Sequence, residues 1–296
     1  MNKKDDKILR VCLCIFAVVL IVVFAKVRID EYIEEGKREE AINEYRQAVS
    51  DNDYIMHALG GVDGHMYTNS KEALEESKSK NAKFYEVDVR RTSDGKLVLT
   101  KGWSEEDYVE RIGVEYDPNN EVMSYDQFMG IKTQGKFTPI DFNYLVEFMR
   151  GNPDVYVMLD FGKKSASYLR KAYKEILAST DDTNILDHMI VGGQNTEMVG
   201  AVRSVYNFKI YNLYWPAEEN RIDEKVDTKE EFLDYCQKNN ISSLSTSVET
   251  YENEKETIKF FKENGLIVYV FTEDDEKKAR ELLNDVDMVG TNFILQ

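Results

Sequence analysis

Residues 84–99 constrain the fold of this chain more than any other stretch. Aromatic and β-branched residues alternate there with Glu86 and Asp88, which predicts a β-strand. Side chains alternate between the two faces of a strand, so the two carboxylates point the same way, about 7 Å apart. Such a pair is costly to bury unless a cation or hydrogen-bond donors offset the charge. The sequence therefore predicts a site for a divalent cation, and the alternative is a surface strand whose polar face lies in water.

The net charge of the chain limits the kinds of molecule that it can bind. Its 296 residues carry 55 acidic and 38 basic side chains, a net charge of -17. A protein with this balance does not neutralise the phosphates of a nucleic acid, so we exclude a nucleic-acid partner. A local cation site remains compatible with a phosphodiester ligand.

The N-terminal residues 1–28 predict a cytoplasmic tail and a transmembrane anchor. Four basic residues precede an uncharged run at 11–25, and neighbouring apolar residues extend this run toward ~20 residues, the length of a membrane span. The alternative is a signal peptide cleaved after residues 23–25. The basic flank stays inside, so we expect a single-pass protein of the cell membrane with its main domain outside the cytoplasm. Residues 29–50 predict a juxtamembrane helix.

In residues 51–296, predicted strands alternate with predicted helices. This order is typical of a parallel sheet in an α/β protein. A turn at 93–95 leads into a short return strand at 96–100. Eight strands in about 240 residues match a (β/α)8 TIM barrel, and the alternative is an open doubly wound sheet. We predict the eight strands at 54–57, 84–89, 155–160, 188–191, 209–214, 242–245, 267–271 and 288–291. We predict helices at 70–80, 142–150, 165–179, 196–205, 229–238, 254–263 and 275–284.

Polar residues gather where the predicted strands end. In a TIM barrel the chemistry lies at the C-terminal ends of the strands, so one imidazole and three carboxylates would converge on one mouth. A long acidic and aromatic insertion at 104–137 is either a lid over this mouth or a decorated connection. The converging residues are His57, Glu86, Asp88 and Asp160.

Several segments together resemble the glycerophosphodiester phosphodiesterase family, within the wider group of phosphatidylinositol-phospholipase-C-like barrels. The family has a strand ending in His-Arg-Gly, then Glu-Asn-Thr and a helix, and later Glu-Leu-Asp-Val with Thr-Lys-Asp-Gly. The resemblance spans residues 54–296. The matching segments are residues 55–60, 68–74, 86–89, 92–98, 138–140, 268–272 and 287–292.

The resemblance implies a membrane-anchored, metal-dependent phosphodiesterase. Glu86, Asp88 and Asp160 would hold Ca²⁺ or Mg²⁺, because these hard cations prefer oxygen ligands. His57 would act as an acid–base catalyst on a glycerophosphodiester, a phospholipid headgroup or an envelope polymer. The candidate substrate-binding residues are Asn69, Lys163 and Trp215.

Four features depart from the family pattern. Lys101 and Gly102 stand where the family has its second histidine and an aspartate, and Gly162 replaces the lysine that follows the third carboxylate. Ala58 replaces an arginine and Asn292 an aspartate. We assign Lys101 the second catalytic position, where its ammonium would stabilise the phosphate charge. The alternative is a catalytically impaired pseudoenzyme that binds a phosphorylated ligand or a partner at the cell surface.

Overall fold

The structure, a computed structural model, describes residues 3–215 and 228–294, without the side chains of residues 3–12, 14 and 17. Residues 1–2, the start of the predicted cytoplasmic tail, lie outside this description. The chain forms two compact units, residues 1–44 and 45–296.

The N-terminal part of the chain is helical. One helix, α1 (Lys3–Ser50), covers the segments predicted as anchor and juxtamembrane helix. No helix in the described part of the chain combines the length and the apolar character that a membrane span requires. The transmembrane anchor therefore stays a prediction from the sequence.

Eight parallel strands of the second unit close into a barrel, which confirms the predicted (β/α)8 fold. Along the sheet their order is β1-β9-β8-β7-β6-β5-β4-β2, and pairing of β1 with β2 closes the ring. This closure excludes the open doubly wound sheet. The short strand β3 pairs antiparallel with β2, as the turn at 93–95 predicts. The strands are β1 (Tyr54–Met56), β2 (Phe84–Arg91), β3 (Leu97–Leu99), β4 (Tyr156–Asp160), β5 (Met189–Gly193), β6 (Ile210–Tyr214), β7 (Ser243–Ser247), β8 (Ile267–Phe271) and β9 (Met288–Thr291).

The helices surround the barrel, and the seven predicted ones are all present. Several begin at a residue whose side chain accepts a hydrogen bond from the first turn, such as Ser70 before α2 and Asp141 before α4, the usual N-cap arrangement. Three short helices, α3, α6 and α9, were not predicted because five or six residues are too few to show helical periodicity. The helices after α1 are α2 (Lys71–Ser79), α3 (Tyr125–Met129), α4 (Phe142–Arg150), α5 (Ala166–Ser179), α6 (Thr183–Asp187), α7 (Thr196–Arg203), α8 (Lys229–Lys238), α9 (Val248–Asn253), α10 (Lys255–Glu263) and α11 (Glu276–Leu282).

Apolar side chains fill the N-terminal half of the barrel and leave the C-terminal half to polar groups. On β2, for example, buried Phe84 is followed on the same face by Glu86 and Asp88. The end of α1 contributes to this interior: Tyr45 is fully buried and its hydroxyl is hydrogen-bonded to that of Tyr269. The interior cluster contains Tyr45, Val49, Ile55, Phe84, Tyr156, Met158, Ile190, Ile210, Ile267, Tyr269 and Met288.

Candidate active site

A cavity of about 90 Å³ lies at the C-terminal ends of the barrel strands. The polar half of its wall carries four residues from the first part of the barrel. His57 follows β1, Glu86 lies on β2, Lys101 follows β3, and Asp160 ends β4. The structure thus brings together residues that lie far apart in the sequence, from His57 to Asp160.

The three predicted metal ligands form one acidic cluster beside this cavity. Asp88 and Asp160 are paired in register on β2 and β4, and Glu86 lies one pleat earlier. One carboxylate oxygen from each of the three lies within 4.8 Å of the other two. Burial and the neighbouring Asp88 raise the pKa of Glu86 well above its usual range, although Lys101 opposes the shift. Three carboxylates this close together supply the oxygen ligands that Ca²⁺ and Mg²⁺ prefer.

Asp88 is fully buried and is held from both sides. Its Oδ1 accepts a hydrogen bond from Lys101 Nζ at 2.8 Å, and its Oδ2 accepts one from Asn69 Nδ2 at 3.0 Å. Burial alone would raise the pKa of Asp88, but the cations of Lys101 and Arg90 lower it below its usual value. Asn69 also accepts the Asp88 N–H at 3.1 Å. Both ends of the Asn69 amide therefore orient Asp88, and the substrate contact of Asn69 stays a prediction.

Arg90 is a site residue that was not predicted from the sequence. The side chain is buried, and its Nη1 donates to the carbonyl oxygens of Val89 and Asp160, each at 2.9 Å. Its Nη2 lies 3.9 Å from Asp88 Oδ1. A Cβ added at Gly162 would come within 3.3 Å of Nη2, so the guanidinium lies beside the position where the family has lysine. Strand alternation could have revealed Arg90, which follows Asp88 by two residues.

His57 is buried and its ring is held in one orientation. Its Nδ1 lies 3.1 Å from Asn292 Oδ1, while Asn292 Nδ2 donates to Asp274 Oδ2 at 2.8 Å. Because the Asn292 oxygen faces the ring, we assign the proton to Nδ1. The other nitrogen, Nε2, lies 3.9 Å from Glu86 Oε2. Burial lowers the pKa of His57, so the neutral ring presents the Nε2 lone pair as a proton acceptor.

Lys101 presents an ammonium to the cavity. Burial would lower its pKa, but Asp88, Glu86 and Asp160 raise it above its usual value. The side chain also lies over the Tyr67 ring, with Nζ 5.6 Å from the ring centroid. Lys101 is therefore suited to stabilise negative charge rather than to transfer a proton.

The other two histidines of the chain lie away from the cavity. His65 is exposed and packs against Phe137. His188 precedes β5 at the opposite end of the barrel, where it packs against Tyr156. Since the sequence has three histidines, His57 has no second imidazole beside it.

Two predicted substrate-binding residues lie outside the cavity wall. Trp215 packs against Phe232 and Phe261, with ring centroids 4.8 Å apart in both pairs, and its Nε1 donates to Glu254. The preceding residue, Tyr214, lines the cavity instead, because neighbouring side chains at a strand end point to opposite faces. Lys163 is exposed in the turn after β4.

No described residue of the insertion at 104–137 lines the cavity. It has a small core of its own, which includes Tyr108 and Phe128. Its Asp107 carboxylate, paired with Arg111 Nη1 at 2.8 Å, lies so close to Gly102 that a Cβ there would overlap it. Asp107 thus fills the space beside the position where the family has aspartate.

Known proteins share the fold of this chain. No curated protein has a significantly similar sequence. A glycerophosphodiester phosphodiesterase from Parabacteroides distasonis is 14% identical with a TM-score of 0.62, over 81% of this chain and 92% of that one. One from Thermotoga maritima is 19% identical with a TM-score of 0.58, over 81% and 93%. An Oleispira antarctica phosphodiesterase, solved in complex with the product sn-glycerol-3-phosphate, is 15% identical with a TM-score of 0.63, over 83% and 95%.

The sequence match to a family is more specific than these similarities of fold. The model of the glycerophosphoryl diester phosphodiesterase family matches residues 61–296, most of the chain. The matched region contains Glu86, Asp88, Lys101 and Asp160. The chain therefore belongs to the glycerophosphoryl diester phosphodiesterase family, whose members are phosphoric diester hydrolases.

Proposed function

We propose that this chain is a metal-dependent phosphodiesterase that cleaves glycerophosphodiesters by acid–base catalysis at His57. The main support is the grouping of His57, Lys101 and the acidic cluster around one cavity. The Oleispira antarctica relative in complex with sn-glycerol-3-phosphate supports a glycerol-containing substrate.

Each residue has a role that follows from its contacts. His57 Nε2 would accept the proton of the attacking hydroxyl while Asn292 holds Nδ1. The resulting imidazolium would give this proton to the leaving alkoxide as its bond to phosphorus breaks. The Lys101 ammonium would stabilise charge on the phosphate, and Glu86 and Asp160 with Asp88 would hold the cation. When bound, Ca²⁺ or Mg²⁺ neutralises phosphate oxygens and lowers the pKa of the attacking hydroxyl.

Hydrolysis of glycerophosphodiesters by the purified full-length chain tests this function. We expect release of glycerol phosphate with Ca²⁺ or Mg²⁺, no release with a chelator, and a loss of about 10²–10⁴-fold in rate for His57→Ala. The matched control is His65→Ala, which removes an exposed histidine. Turnover that survives His57→Ala would reject the assignment. Metal-dependent binding of glycerol phosphate without turnover would favour the pseudoenzyme.

We also propose that the protein is anchored in the cell membrane with the barrel outside the cytoplasm. The support is the sequence of residues 1–28, where a basic flank precedes the uncharged run at 11–25. Protease treatment of intact cells should degrade the barrel, and the chain should fractionate with membranes. Recovery of a mature chain that begins after residue 25 would instead identify a cleaved signal peptide.

A further inference from the structure

One part of the cavity wall, which runs from the end of β5 through β6 and β7 to β8, is neutral. Glu86 and Asp160 come from β2 and β4, and β7 and β8 lie on the far side of the ring from them. No described residue of this neutral wall is charged. Its members are Gly192, Gly193, Gln194, Asn212, Tyr214, Ser245, Tyr269 and Phe271.

Asn212 in this wall has an unpaired polar atom. On β6, Ile210 belongs to the barrel interior and Tyr214 lines the cavity, so Asn212 between them also points inward. The side chain is 98% buried, given an exposed fraction of 2%. Its Nδ2 donates to Ser245 Oγ at 2.7 Å, whereas its Oδ1 has no hydrogen-bond partner among the described residues.

A hydroxyl group is the ligand group that can form a hydrogen bond with the unpaired amide atom. Buried amide groups are nearly always hydrogen-bonded, so an unpaired one in a cavity wall marks a position for a ligand or a water. The Ser245 hydroxyl can accept a hydrogen bond from the amide nitrogen of Asn212 or donate one to its oxygen. In either orientation of the amide, its other polar group has no partner. A hydroxyl satisfies both cases, since it is a donor and an acceptor.

We propose that Asn212, oriented by Ser245, binds a hydroxyl of the alcohol that is esterified to the phosphate. The proposal rests on the proposed function, because it places the phosphate at the acidic cluster and Lys101. The neutral wall then receives an uncharged, hydroxyl-bearing alcohol such as glycerol. In the free protein a water can occupy the position, and the ligand hydroxyl replaces its hydrogen bond.

A comparison of two phosphate monoesters tests this subsite without requiring turnover. sn-Glycerol 3-phosphate carries hydroxyls that methyl phosphate lacks. With Ca²⁺ or Mg²⁺ present, calorimetry on the full chain should show that glycerol phosphate binds about tenfold more tightly, the size of one neutral hydrogen bond. Asn212→Leu should reduce this ratio to near one and leave the affinity for methyl phosphate unchanged.

A control and a second variant separate binding from folding. Thr246→Val removes a buried hydroxyl on the opposite face of β7, so the affinity ratio should stay at the wild-type value. Ser245→Ala leaves the amide without its partner, and the ratio should fall there too. A ratio that is unchanged in both Asn212→Leu and Ser245→Ala would overturn the proposal, as would an equal loss of affinity for both ligands.

The outcome also distinguishes the subsite from the catalytic assignment. If the affinity ratio behaves as expected but no substrate is hydrolysed, the subsite stands and the proposed catalysis fails. If hydrolysis is normal but the wild type binds both monoesters equally, the subsite alone is rejected.

Discussion

Asn69 determines the direction in which Asp88 presents its oxygens. Its φ is +44°, in the left-handed region that asparagine adopts more readily than most residues. Asn69→Gly keeps this backbone accessible and removes both amide contacts with Asp88. We expect the affinity for Ca²⁺ or Mg²⁺ to fall about 10–100-fold, as for other residues that orient metal ligands. Calorimetric titration of the metal measures the change.

The matched control for Asn69 is Asn81→Gly. Asn81 also has a positive φ, +64°, but it is exposed at the end of α2. Metal affinity should be unchanged in this variant. If Asn69→Gly binds the metal as tightly as the wild type does, Asn69 does not position Asp88 for metal binding.

We expect Lys101 to take the part of the second histidine that the family has at this position. Lys101→Met removes the ammonium, and we expect kcat/KM on a glycerophosphodiester to fall roughly 10²–10³-fold, as when one preorganised donor to a developing charge is lost. Lys96→Met is the control, since Lys96 is exposed on the same hairpin. Steady-state kinetics on both variants would show whether the loss is specific to Lys101.

The reverse substitution tests the impaired alternative. Restoring both family residues would disturb the packing here, because a Cβ at residue 102 overlaps the Asp107 carboxylate, which would have to move. Lys101→His alone keeps that packing. Activity that rises above the wild type in this variant would indicate an impaired enzyme, whereas a fall would indicate that lysine is the working residue here.

At the scale of elements, Asn292 links the ends of three strands. It follows β9, faces His57 after β1, and is held by Asp274 in the loop after β8. Asn292→Asp would restore the family residue but would place a second carboxylate against Asp274. The repulsion should raise the carboxyl pKa values in the folded state above those in the unfolded chain. Unfolding then releases protons, so stability falls as the pH rises.

We therefore expect Asn292→Asp to lose more stability, relative to the wild type, at pH 8 than at pH 5. Urea unfolding at the two pH values measures the difference. Asn292→Leu is the control, because it also loses the hydrogen bond to Asp274 but adds no charge, so its loss of stability should depend less on pH. An equal loss for Asn292→Asp at both pH values would contradict the proposed repulsion.

Strand alternation predicted the acidic face of β2 but not the whole site. The pattern identified Glu86 and Asp88 and stopped one residue short of Arg90, because pairing with β3 extends β2 to Arg91. Asn212 was not predicted either, although a polar residue within the apolar alternation of β6 is a signal that could have revealed it. The amide contacts of Asn69 depend on a left-handed turn that no periodicity reveals.

At the scale of the whole molecule, the order of strands and helices was sufficient to predict a closed barrel. It did not predict what fills the N-terminal end of that barrel. Tyr45 and Val49 were assigned to the juxtamembrane helix 29–50, yet both belong to the barrel interior. An amphipathic pattern shows that a helix has an apolar face, but it does not identify the partner that covers this face.

Tyr45 should therefore be essential to the stability of the barrel. Its ring packs against those of Phe84 and Tyr156, with centroid distances of 6.3 Å and 5.5 Å. Tyr45→Ala should lower the free energy of unfolding by about 3–5 kcal/mol, as for other large buried aromatic residues, whereas Tyr32→Ala, at a side chain that is 79% exposed, should change it little. Urea denaturation measures both.

Truncated chains test how much the end of α1 contributes to the stability of the barrel, without a substitution that leaves a cavity. A chain that starts at residue 45 retains the interior contacts of Tyr45 and Val49, and it should unfold cooperatively. A chain that starts at residue 51 loses both side chains and exposes the apolar floor of the barrel, so its unfolding midpoint should be lower. Equal midpoints for the two chains would mean that the barrel closes its N-terminal end without the last turns of α1.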